Sequence, residues 1–185
     1  MNSKVVLVDE NNQEIGITDK FLVHTDKTPL HRGLSVFLFN GKNELLLQQR
    51  AKSKLTFPGI WSNSCCGHPR PGEEGIEAVR RHLDSELGIK EAAIHLVLPD
   101  FRYTAEMNGI RENELCPVFV AFSNDEIRVN PQEIENIRWV DWDDFIREIK
   151  DKPGTYSKWA EEEALLLEKS LEFNQYRSLK TTNIA

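Results

Sequence analysis

The residues best suited to chemistry gather at Ser62-Asn63-Ser64-Cys65-Cys66-Gly67-His68-Pro69, where a thiol precedes an imidazole by two positions. Gly67 lets the backbone approach a ligand closely and Pro69 fixes the exit, so the turn presents side chains rather than packing them. Alone, Cys66 would be an ordinary buried cysteine. Other groups change its meaning: His24 and His31 in the polar stretch 20–32, and Glu112 and Glu114 ahead of an apolar run. Residues two apart on a strand share a face, so Glu112 and Glu114 would aim both carboxylates the same way. That is costly unless a cation compensates them. His24, His31, His68, Glu112 and Glu114 together are a mixed nitrogen and oxygen donor set suited to a Mn, Fe or Zn ion. Arg50, Lys52 and Lys54, with Arg70 nearby, could hold phosphate oxygens. Each feature has a plainer reading as a surface histidine, a charged strand end or a solvated basic loop.

The elements that must position these groups follow from periodicity and turn chemistry. Residues 5–8 and 15–18 read as strands around Asn11-Asn12. Pro29 and Thr25-Asp26-Lys27 oppose a helix over 20–32, which places His24 and His31 in a loop. Residues 34–39 and 44–49 predict a hairpin around Asn40-Gly41-Lys42-Asn43. The clearest helix is 73–87, with Ile76, Val79, Leu83 and Leu87 as its apolar stripe and Gly88 as its stop. Residues 94–98 and 101–104 read as strands, Asn108-Gly109 as a turn, and 115–122 as one buried strand despite Pro117. A strand over 137–142 and a short helix over 143–149 follow, ended by Pro153-Gly154. A single closing helix over about 157–175 offers Trp159, Leu166, Leu167 and Leu171 for packing, before a frayed tail over 180–185.

At 185 residues, with no internal repeat or linker, the chain is expected to form one domain over 1–185. A net charge of −7 and pI near 5.3 argue against nucleic acid as a partner. No signal-peptide pattern and no membrane-length apolar run is present. Three cysteines, two of them adjacent, make a poor disulfide framework and point to reduced thiols in the cytoplasm.

From Gly67 to Ile89 the chain resembles the Nudix box: Gly67, Glu73, Arg81, Leu83, Glu86, Gly88 and Ile89 match it. The resemblance implies an α+β fold, a Nudix-like mixed sheet sandwiched between helices, with the core over about 30–150 and the closing helix over about 157–175. His82 and Ser85 stand where the box carries glutamates that bind Mg²⁺ and activate water, which opposes hydrolysis. Asn63 to Pro69, Asp100-Phe101-Arg102-Tyr103 and Glu112 to Phe119 are similar to segments of type 1 isopentenyl-diphosphate isomerases. So are His24-Thr25, Leu30-His31, Arg50 to Lys54 and Phe57-Pro58-Gly59-Ile60-Trp61.

That family interconverts isopentenyl and dimethylallyl diphosphate by protonating an alkene and deprotonating it on the other side. The resemblance implies that Cys66 and Glu114 are the acid and base, with Tyr103 near Glu114 assisting. It implies one Mn²⁺ or Zn²⁺ on His24, His31, His68, Glu112 and Glu114, and a Mg²⁺ held by Glu86 with the diphosphate. Lys20, Arg50 and Lys54 match diphosphate-binding positions. A carbocation-like intermediate needs a dry pocket, for which Trp61 could supply a π face worth about 2 kcal/mol and Trp159 a cap. The chain departs from the family at Cys65, at His82 where a basic residue is expected, and at Phe57 in place of a tryptophan. The expected partner is the small-molecule diphosphate, with no nucleic acid and no membrane, and the chain a monomer or weak homodimer. Two other readings stand beside the isomerase: a Nudix pyrophosphohydrolase and a non-catalytic, metal-stabilised binding domain.

Overall fold

A computed structural model describes residues 4–182, which form twelve strands and five helices. The chain opens with antiparallel β1 (Lys4–Val8) and β2 (Glu14–Asp19). The Asp19 side chain then caps a one-turn helix, α1 (Lys20–Val23), accepting from the Phe21 amide at 2.9 Å. His24 ends that helix, and His31 lies in a two-residue strand, β3 (His31–Arg32). The stretch expected to be loop throughout is therefore pinned at both histidines: Asp19 nucleates the turn, and Leu7 of β1 pairs with His31.

β4 (Leu34–Phe39) and β5 (Leu45–Arg50) flank the expected turn, yet only Phe39 and Leu45 pair across it. The strands diverge because other segments fill the gap. β6 (Trp61–Ser62) pairs with β5, and β7 (Cys65–Gly67) pairs with β4, setting Cys66 opposite Ser35. α2 (Gly75–Leu87) starts later than the acidic run implied, with Glu74 as N-cap. Its buried face is Ala78, Val79, Leu83, Glu86 and Leu87, whereas Ile76, expected in the stripe, is 43% exposed. Gly88 ends the helix in the left-handed region, φ 72°, its N–H on Asp84 O at 3.0 Å.

After β8 (Ala93–Leu98) come β9 (Arg102–Met107) and β10 (Ile110–Leu115) around the Asn108-Gly109 turn, then β11 (Val118–Phe122). The single strand expected over 115–122 is thus two, because Pro117 lacks the N–H a ladder needs. The chain uses the break at Cys116-Pro117 to change sheets. One sheet runs β2-β1-β3-β10-β9; the other runs β12-β5-β4-β11-β8, with β12 spanning Ile134–Val140. β3 and β10 are parallel in the first sheet, β4 and β11 are parallel in the second. Both pairs therefore cross the seam side by side, held by Gly33 N–H on Leu115 O at 2.8 Å and Ser35 N–H on Pro117 O at 3.1 Å.

Strand alternation builds the core. Leu34, Val36 and Leu38 face α2 with Val79, Leu83 and Leu87, while Phe37 and Phe39 face the other side. There they meet α3 (Trp142–Asp151) and α4 (Lys158–Leu167), the latter through Trp159 and Leu167. A mixed sheet between helices is the expected arrangement, and the smaller sheet joins it at the seam. Trp142, expected to end a strand, instead begins α3 under the Asp141 cap. The closing helix is two: α4 stops, and α5 (Leu171–Thr182) restarts after Ser170, whose Oγ accepts from Phe173 N–H at 3.2 Å. The bend lets Phe173 pack on Trp142 at 4.7 Å between ring centroids, leaving Leu171 81% and Leu166 45% exposed. Of the tail expected to fray, 183–185 lie outside the described residues. No helix among those described is long and apolar enough to cross a membrane.

Candidate active site

Strand register delivers half of the site. Across the smaller sheet, Glu114 of β10 is the cross-strand partner of His31 on one side and Tyr103 on the other. Paired residues share a face, so imidazole, carboxyl and phenol stand in one row. Glu112, two residues earlier, points the same way. The larger sheet supplies Cys66 and, just beyond β7, His68. α1 delivers Lys20 and His24. All of these but His31, which is buried behind Glu114, line one cavity of about 420 Å³ with Arg50, Lys54, Glu86 and Trp159.

The three imidazoles lie with ring centroids 5.2 to 5.6 Å apart. His24 Nδ1 bonds Lys20 O at 3.0 Å and His31 Nδ1 bonds Pro29 O at 2.9 Å, which fixes the proton there and leaves each Nε2 as a bare lone pair. Both Nε2 atoms, His68 Nδ1 and Glu112 Oε2 are buried without a hydrogen-bond partner. Ligand atoms of His24, His31, His68 and Glu114 all lie within 4.8 Å of one another. Glu112 joins through His24, 3.0 Å from its Nε2. Buried orphaned lone pairs converging on one point are the mark of a cation site, and this donor set fits a divalent ion.

Burial pushes Glu114 up, but the His68 hydrogen bond and the nearness of both imidazoles outweigh it and hold the carboxyl well below the usual range. Burial pulls His68 down to about 4, leaving it a neutral ligand, whereas at His31 the nearness and charge of Glu114, 3.5 Å from its Nε2, overcome burial and raise it. Burial, then the charges of Glu114 and Glu112, push the Tyr103 phenol well up. The Cys66 thiol is pushed up to about 12, chiefly by burial and then by Glu163, so it holds its proton.

At the mouth, Lys20 is lowered by burial and by the Lys54 charge beside it, the signature of crowded cations awaiting an anion. Lys54 pairs with Glu133. Arg50 spends Nε and Nη2 on Thr56 O and Phe57 O and lies 5.7 Å from the Trp159 ring centre, so it holds the 56–57 loop as well as lining the cavity. Phe57 fills space, its ring edge-on to Trp159 at 5.0 Å.

Trp61 does not reach the cavity. Its ring lies under Arg138 at 5.0 Å, and it is not among the residues that line the cavity. The aromatic faces at the cavity are those of Trp159 and Tyr103, 5.3 Å apart. Glu86 is buried, bonded to His82 Nδ1 at 2.8 Å, and grouped with Cys65 as well as His82. Burial pushes its carboxyl up, but the His82 bond and charge, with Lys54 and Lys20, bring it below the usual range. Arg81 grips Glu73 through two bonds of 2.7 and 2.6 Å and His68 O at 3.0 Å, tying α2 to the turn.

Several contributors carried no role in the sequence. A Cβ on Gly33 would lie 2.0 Å from Glu114 Oε2, so only glycine leaves that carboxyl its place. Asn63 Oδ1 receives Cys66 Sγ–H at 3.1 Å and Trp159 Nε1–H at 3.1 Å. Glu163 hides in the run Glu161-Glu162-Glu163; its spacing of four from buried Trp159 was the available signal.

The NUDIX domain family model matches residues 29–162. An isopentenyl-diphosphate Delta-isomerase of Saccharopolyspora erythraea is 47% identical over 161 residues, covering 86% of this chain and 83% of its own. One of Rhizobium rhizogenes is 45% identical, covering 88% of this chain and 79% of its own. Among solved structures, a protein of Deinococcus radiodurans matches with a TM-score of 0.66 at 20% identity, over 86% of this chain and 96% of that one, a likeness of fold.

Proposed function

The chain belongs to the isopentenyl-diphosphate Delta-isomerases, a family built on the Nudix domain, and we propose that Cys66 and Glu114 move the protons by which it interconverts isopentenyl and dimethylallyl diphosphate. One observation carries this: the two groups come from different sheets yet line a single cavity roofed by Trp159. One donates a proton to the alkene while the other removes one from the allylic carbon, and their roles exchange in reverse. Each must therefore be able to occupy both protonation states.

Tyr103, in register beside Glu114, hydrogen-bonds the carboxyl side of the transfer. Lys20, Arg50 and Lys54 take the diphosphate at the mouth, and that remote binding energy offsets the cost of orienting and drying the reacting carbons. Trp159 excludes water and offers its π face to the developing cation. When bound, Mn²⁺ or Zn²⁺ on His24, His31, His68, Glu112 and Glu114 would tune the proton affinity of Glu114, and Mg²⁺ on Glu86 would neutralise the diphosphate. Because α4 completes the cavity begun by strands of both sheets, residues 1–185 act as one functional domain. Hydrolysis is disfavoured: His82 and Ser85 replace two box glutamates, and Glu73 is committed to Arg81.

The test is incubation with isopentenyl diphosphate and Mg²⁺ in heavy water. Deuterated dimethylallyl diphosphate is expected. Unlabelled starting material alone, or release of phosphate, would reject the assignment.

A further inference from the structure

Helix α4 carries a buried carboxyl, Glu163, for which the steps above have no use. It is fully buried, its Oε2 is bonded to Ser35 Oγ at 2.6 Å, and its Oε1 is buried without a partner. No described residue forms a salt bridge with it, and the charges that act on it, Glu114 and Glu162, are themselves negative. Burial, a fully buried oxygen without a partner and those negative charges disfavour a carboxylate there, and they outweigh the Ser35 bond to push the group well above its usual range.

Ser35 is the cross-strand partner of Cys66, and its Oγ lies 3.8 Å from the sulfur. A hydroxyl has one proton and two lone pairs. One lone pair receives Asn63 Nδ2–H at 2.7 Å. The other group bonded to the sulfur is Asn63 Oδ1, an acceptor that suits a thiol and offers nothing to a thiolate. Among the described residues the Ser35 hydroxyl is the neutral donor that reaches the sulfur, and it adds to the Arg50 charge, which also favours the thiolate. The hydroxyl proton is free to turn to sulfur only when Glu163 is the donor in the Glu163–Ser35 bond.

We propose that Glu163 is carried as the neutral acid and donates to Ser35 Oγ, so that the Ser35 hydroxyl turns toward Cys66 whenever the sulfur is ionised. Glu163 and Ser35 are then positioning residues for the reactive thiol. The Glu163 proton stays on its oxygen throughout; only the hydroxyl rotates, so no proton is gained or lost by the pair. The inference rests on Cys66 being the proton-transferring thiol.

Steady-state kinetics of E163L, E163Q and S35A, with infrared spectra of wild type and E163Q, test it. S35A should lose roughly 10- to 100-fold in kcat with KM within about twofold, the loss expected for one hydrogen bond to a charged group, and E163L should lose less, because its Ser35 proton is free but no longer held toward sulfur. E163Q, whose amide also donates to Ser35, should keep most of the wild-type kcat. E163L should unfold at or above the wild-type temperature, since leucine fills the volume without an unsatisfied oxygen. The wild-type spectrum should contain a carboxylic-acid C=O stretch that E163Q lacks. Absence of that difference, or an E163Q as slow as S35A, would overturn the inference and leave the Cys66 assignment standing. A fully active C66A with the infrared band intact would remove the Cys66 assignment, and the positioning role with it.

Discussion

Gly33→Ala separates positioning from stability more sharply than any ligand substitution. The new Cβ would sit 2.0 Å from Glu114 Oε2, 2.7 Å from its Cδ and 3.3 Å from Cys116 Sγ. Ordinary heavy-atom contacts begin near 3.5 Å, so the carboxyl oxygen must retreat by about 1 to 1.5 Å. A retreat of that size strips Glu114 from His68 Nε2, now at 3.1 Å, and from His31 Nε2, now at 3.5 Å. Misplacement of a catalytic group by ~1 Å costs on the order of 100-fold, so kcat should fall by at least that much. Stability should fall far less than turnover. Gly33 is not among the glycines with positive φ, so the backbone tolerates the change, and the cost is that of a buried carboxyl drawn off its partners. A loss of about 1 to 3 kcal/mol in unfolding free energy, with the fold kept, is expected. Turnover, bound metal by mass spectrometry and thermal unfolding should be measured together. An alanine variant keeping wild-type turnover and metal content would refute the claim that Glu114 is fixed by the seam.

C66A and E114Q should each lose most turnover with unchanged circular dichroism, whereas C65A should be mild; a dead C65A would show that the wrong thiol was chosen. Acid stability should report the Arg81–Glu73 pair, whose hydrogen bond holds the Glu73 carboxyl down from 4.5 to about 2. A depressed folded-state value contributes stability above the unfolded value and loses it as pH falls through the folded one. Wild type should therefore weaken between pH 4.5 and about 2, and E73Q should lack that part of the fall in denaturant titrations. Parallel wild-type and E73Q profiles would count against the pair.

Local signals made most of the frame legible. The α2 periodicity with its Gly88 stop, the Asn108-Gly109 turn and the apolar β4 and β5 are set by residues near in sequence. That His24, His31, His68, Glu112 and Glu114 come together was legible because such groups are expensive to bury without a partner. What escaped depended on contacts between distant segments. Whether β4 pairs with β5 or with β7 is decided by the chain that enters between them, and the break at Pro117 matters because a second sheet waits there. Trp61 was expected at the cavity and lies under Arg138 instead, since a two-residue strand gives too little alternation to choose a face. Ile76 and Leu171 illustrate the same limit: an apolar residue at helical spacing buries only if something packs over it. Glu163 carries no distinguishing signal behind two other glutamates, and only the seating of Trp159 turns it inward.

The roof over the cavity has a consequence for the order of assembly during synthesis. Every donor proposed for the ion lies at or before Glu114, so all of them precede Trp159 and Glu163 as the chain is made. On the proposed mechanism, a nascent chain would gather its ion while the slot still stands open to water, and would become competent to handle a carbocation only once α4 has emerged and docked. Reactivity would thus wait for α4, a built-in delay between loading and firing.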